Sequence, residues 1–190
     1  MIKFLRLCFF ILALVFCTVV AVDARAQGAG DIHRVDFKNF TYHPSCSFDN
    51  RQIRTRNGAY NRNRQDDRME FKIGDIVYGD LTNDGRDEAV VISRCSTGGT
   101  GFYTEGYVYT MRGSRPVEIV RLEMGDRALG GIFGVKISGG LLTVERYAPD
   151  VAGEGACCPK YIETTTYRLR GRRLVQVGRK RRRNAETENN

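Results

Sequence analysis

The spacing of the apolar residues restricts this chain's fold more than any other feature. Beyond residue 30 they alternate, or run in short β-branched and aromatic bursts that glycine interrupts before a helical period can build. Period-two alternation in short bounded runs is the pattern of strands. It predicts strands over 37–42, 52–56, 69–73, 76–80, 88–94, 106–111, 117–122, 132–137, 141–147, 161–169 and 173–177. Several connections have hairpin chemistry. Asn57-Gly58 is a type I′ pair, and Gly113, Gly139-Gly140 and Gly171 supply the φ freedom of tight reversals. The expectation is an all-β chain: a single compact, mostly antiparallel sheet domain, sandwich or open barrel, stapled by disulfides. Only 57–68, NGAYNRNRQDDR, resists this scheme; it lacks a period and reads as a long exposed loop.

The N-terminus has a different pattern. Lys3 and Arg6 precede an apolar stretch from Leu7 to Val22, and Ala24-Arg25-Ala26 gives the small-x-small motif of a cleavage site. Residues 1–26 therefore read as a signal peptide and the protein as secreted or periplasmic, a membrane anchor being the competing reading. The remaining 164 residues suit one β domain, 27–178, followed by a basic tail, 179–190.

Export changes how the cysteines read. Cys8 and Cys17 leave with the leader, and Cys46, Cys95, Cys157 and Cys158 form an even set in an oxidising compartment. A bond between the neighbours Cys157 and Cys158 is strained, so Cys46 and Cys95 are each expected to pair with one of them, in either combination. A zinc or redox site would want C-x-x-C spacing, which is missing, and His33 and His43 lie far off in sequence.

Charge is concentrated at one end. Residues 27–190 hold 27 basic and 21 acidic side chains, and nine of the basic ones fall between Arg168 and Arg183. The run RKRRRNAETENN at 179–190 has no apolar residue to offset ordering entropy and reads as a disordered tail. Such a tail implies weak electrostatic contact with a polyanion or an anionic membrane surface, and no specific nucleic acid.

The most chemical stretch is IVYGDLTNDGRDEAVVI, residues 76–92. Asp80, Thr82 and Asp84 occupy positions 1, 3 and 5, Gly85 sits at 6, the Arg86 carbonyl at 7 and Glu88 at 9. Alternate side chains of a tight loop can converge on one hard cation, and the glycine permits the reversal that brings the later ligands round, so Ca²⁺ is the candidate cofactor. Asn83-Asp84-Gly85 also makes a metal-free turn with Asp80 capping backbone N–H groups. The loop resembles the calcium loops of FG-GAP (integrin-type propeller) repeats, where a strand ending in GD runs into D-x-N-x-D-G-x-x-D. Thr82 and Glu88 depart from that pattern, and its single occurrence excludes a multi-bladed propeller. With three carboxylates at most, the expected affinity is on the order of 10⁻⁴ to 10⁻³ M.

A second candidate site is the glycine-rich loop Thr97-Gly98-Gly99-Thr100-Gly101, whose successive N–H groups could cradle an anion beside Asp126 and Arg127. It is not G-x-x-x-x-G-K-[ST] and no helix follows, which argues against a nucleotide. Nucleophilic catalysis needs a base near a serine or cysteine. His43 precedes Ser45 and Cys46, but no third group is evident. Acid–base work by Asp80, Asp84, Asp87 and Glu88, or by Glu105 with Asp126, would make an envelope hydrolase, yet nothing in their spacing selects a substrate. The reading favours a binding or structural module of the cell envelope, not an enzyme, with an envelope or extracellular partner.

Taken together, GDLTNDGRDEAVV at 79–91, STGGTGFY at 96–103, GDR at 125–127 and ACCP at 156–159 resemble the motifs of a family of uncharacterised exported bacterial proteins and lipoproteins. The resemblance implies an envelope location and a compact disulfide-bonded domain, and it brings no established reaction.

Overall fold

The structure, a computed structural model, describes residues 30–185 apart from Phe48, Asn50, Asp66, Thr100, Leu129 and 149–158. The leader (1–26), Cys157, Cys158 and residues 186–190 thus lie outside the described residues. The chain is all-β, and every strand pairing is antiparallel. Two short strands, β1 (Thr41–Tyr42) and β2 (Ile53–Arg54), pair with each other. A five-stranded sheet follows in sequential order: β3 (Ala59–Arg64), β4 (Asp67–Gly79), β5 (Glu88–Ser96), β6 (Tyr103–Arg112) and β7 (Arg115–Gly125). A four-stranded sheet holds β8 (Ile132–Ser138), β9 (Leu141–Ala148), β10 (Tyr161–Arg170) and β11 (Arg173–Asn184), also in order.

Alternation along the central strand β5 explains the layering. Ala89, Val91 and Cys95 face a core completed by Ile32, Phe37, Tyr42 and Ile53 of the N-terminal segment, together with Phe71, Tyr107 and Tyr109. Val90 and Ile92 face the opposite way, against Leu142, Val144 and Leu169 of the four-stranded sheet. The five-stranded sheet is therefore covered on both faces, by the N-terminal segment and by the second sheet. Of the two expected architectures this is the sandwich, with two sheets whose inner residues interlock. At one crossing of the layers a Cβ on Gly79 would lie 3.0 Å from Ile137 Cβ, which leaves room for glycine alone.

Four local readings need correction. Residues 59–64 are not loop but β3, an edge strand whose Arg62 pairs with Asp67 at 2.6 Å. Edge strands are often polar, so the absence of an apolar period misled. The runs 69–73 and 76–80 are one strand, β4, with a register shift between Ile73 and Ile76. Residues 37–39 form a 3-10 turn because Asp36 Oδ1 accepts from both Lys38 N and Asn39 N at 3.1 Å. Finally, the basic tail begins as structure: β11 continues through Asn184, with a bulge between Thr164 and Thr166 of β10 and Gly178 at φ +74°. Lys180 donates to Glu163 Oε1 at 2.8 Å and Arg183 to Glu145 Oε2 at 3.3 Å. Those cross-strand pairs offset ordering that apolar burial could not.

The disulfide also departs from expectation. Cys46 bonds to Cys95, linking the N-terminal segment to the central strand β5 across 49 residues. Sequence spacing could not foresee that their Cα atoms stand 6.5 Å apart in the fold.

Candidate functional site

The Asp80 loop joins β4 to β5, and its carboxylates already have partners. Asp80 accepts from Asp84 N at 3.2 Å and Gly85 N at 2.8 Å, so its carboxylate caps the turn. Positive φ at Asn83 (57°) and Gly85 (81°) completes the reversal. Asp84 accepts from the Arg86 guanidinium at 2.7 Å, which holds its carboxyl below the usual range. Glu88, 1% exposed, points inward and accepts from Leu81 N at 2.9 Å, Thr82 N at 3.1 Å and Thr110 Oγ1 at 2.8 Å. Among the described residues no group of three acidic, histidine or cysteine side chains converges as a metal site. Calcium bound by Asp80, Thr82, Asp84, Arg86 and Glu88 would compete with the Arg86 guanidinium for Asp84 and would need the buried Glu88 to turn outward, whereas the N–H bonds to Asp80 leave lone pairs free.

The candidate catalytic groups are equally committed. His33 Nε2 meets Asp87 Oδ2 at 2.9 Å while its ring stacks on Tyr78, and His43 Nε2 meets Gln52 Nε2 at 3.2 Å. Neither histidine is bonded to Ser45, whose backbone N–H (3.0 Å) and hydroxyl both donate to Glu105. Glu105, 3% exposed, also accepts from Tyr107 OH at 2.7 Å and Arg121 Nη1 at 3.2 Å. Arg121 Nη1 in turn donates to the His43 carbonyl at 2.7 Å. This buried network ties the N-terminal segment to β6 and β7, and each polar member is paired, as burial requires.

The glycine-rich loop fares differently, because the fold brings it beside the turn at Asp126 and Arg127. A cleft of about 540 Å³ opens there, lined by Arg94, Gly101, Phe102, Asp126, Arg127, Phe133 and Tyr147. The turn is held tightly. Gly131 N donates to the Asp126 carbonyl at 2.5 Å, and a Cβ on Gly131 would lie 2.7 Å from that oxygen. Thr104 Oγ1 accepts from Ile132 N at 2.5 Å and donates to the Gly125 carbonyl at 3.2 Å, so β6 sets where β8 begins. Arg146 reaches from β9 to the carbonyls of Glu123 and Gly130, at 3.0 and 2.7 Å.

The rim is aromatic and cationic. Phe102 is 51% and Phe133 38% exposed, which is unusual for such large apolar rings. Phe133 meets Tyr147 edge to face at 5.4 Å, and the Arg127 guanidinium lies 5.4 Å from the Tyr147 centroid. Arg183 stands 5.5 Å from the Phe133 ring. Gly101, Asp126 and Arg127 are thus gathered into one site. Thr97, Gly98 and Gly99 continue the loop away from it, Gly98 and Gly99 lining a second hollow with Phe102, and Thr100 lies outside the described residues. Sequence reasoning missed Arg94, Phe102, Phe133 and Tyr147. A usable signal existed for two of them: Phe102 adjoins the glycine loop, and Tyr147 falls in the polar phase of its strand, opposite to the buried Leu142 and Val144.

No protein-family model, curated protein or solved structure matches this chain.

Proposed function

We propose that the chain is a non-catalytic binding module that works outside the cytoplasm and takes an acidic sugar in the cleft between Phe102 and Tyr147. The observation that carries this reading is the exposure of Phe102 and Phe133 on a rim shared with Arg94 and Arg127. Aromatic faces stack against the apolar face of a sugar ring, and the planar guanidinium fork matches a carboxylate. Of the carboxylates considered for hydrolysis, Glu88 and Glu105 are buried and engaged by backbone and side-chain donors, while Asp126 lines the cleft. An extracytoplasmic location is supported by the Cys46–Cys95 bond, since such bridges persist where thiols are not kept reduced.

Isothermal titration of residues 27–190 with oligogalacturonate, against uncharged maltooligosaccharide, tests the reading. Binding is expected for the acidic sugar alone, weakened tenfold or more by F102A and by R127A with thermal midpoints unchanged. Equal binding of both sugars, or of neither, overturns it.

A further inference from the structure

We propose that the outward face of the four-stranded sheet docks the protein on an anionic bilayer. The register defines that face. Leu142, Val144 and Leu169 point into the core, so the residues alternating with them point away from it. Lys136 pairs with Thr143, Thr143 with Thr166 and Thr166 with Val177. Arg168 pairs with Val175, Arg170 with Arg173 and Thr164 with Arg181. Lys136, Arg168, Arg170, Arg173 and Arg181 therefore share one surface, and all five are exposed.

These cations have no acidic partner among the described residues. Glu145 is the acidic residue that the register sets among them, opposite Thr164, and Arg183 is bonded to it. Arg168, Arg170, Arg173 and Arg181 make no ion pair among the described residues, whereas Lys180 and Arg182, on the opposite phase of β11, are both paired with Glu163. Charge complementarity calls for an anionic partner. The apolar residues decide which kind. Val175 is 44% and Val177 37% exposed, set among the arginines on the same strands. A soluble polyanion offers aliphatic side chains nothing, while the boundary between headgroups and acyl chains takes up apolar side chains as the arginines meet phosphates. None of these cations or valines lines the cleft, which adjoins one end of this face through Tyr147.

The test uses residues 27–190, which include every described strand, in sedimentation with vesicles of mixed phosphatidylglycerol and phosphatidylcholine, and with phosphatidylcholine alone. The protein is expected to pellet with the anionic vesicles only. R170E/R173E/R181E should lose binding tenfold or more, and V175S/V177S severalfold, each with an unchanged thermal midpoint. On a heparin column V175S/V177S should elute with the parent, and F102A should bind vesicles as the parent does, which separates this face from the cleft. The proposal is overturned if the triple arginine variant pellets like the parent. It is equally overturned if the valine variant keeps full vesicle binding, which would make the face a site for soluble polyanions.

Discussion

Glu88 shows how one residue can answer two descriptions. Its sequence position suits a calcium ligand, but its side chain turns inward and holds the loop by accepting three hydrogen bonds. Burial raises its carboxyl above the ordinary range, outweighing the donors that favour the charge. The folded protein then keeps a proton that the unfolded chain has released. Glu88 thus contributes stability below the ordinary carboxylate range, and that contribution is lost as pH rises through its raised value. Urea midpoints measured between about pH 4 and pH 7 should show this fall in the parent, and E88Q should flatten it. E88A, which strands the buried Leu81 N–H, should cost about 1–3 kcal/mol. Spacing marked the residues of the loop and could not find which way each one points. The same limit hid Phe133, a residue at the register shift between Ile132 and Gly134.

Strands were legible where one or both faces are buried. β5, β6 and β9 carry their core alternation openly, and the Asn57-Gly58 pair adopts the positive φ angles, 52° and 79°, that its type I′ chemistry anticipates. β3 and the second half of β11 were illegible because edge strands are held by backbone ladders and ion pairs, which leave no apolar period to read. One element contact offers a direct test. Gly106 on β6 lies opposite Leu122 on β7, and a Cβ there would meet Leu122 Cδ1 at 2.6 Å and Cβ at 3.0 Å. G106A should lower the urea midpoint by the equivalent of about 1–3 kcal/mol through overpacking, while G99A, whose Cβ would meet nothing within 4 Å, should change it little.

At the scale of the whole molecule, the sequence announced an all-β class but left sandwich and barrel undecided, since nothing local says which faces of distant strands will meet. It also misjudged the cysteine partners for the same reason. The observed bridge closes a long loop, so C46S should lose about 4 kcal/mol of stability on the chain-entropy model, read by denaturant unfolding of the oxidised parent against the variant. That bridge fastens the N-terminal segment over Phe71, Tyr107 and Tyr109, and the segment leaves the ribosome before any strand it covers. The lid is made first and its box afterwards. Ile32, Phe37 and Tyr42 therefore meet Phe71, Tyr107 and Tyr109 only through contacts distant in sequence, the kind whose loop-closure cost slows folding.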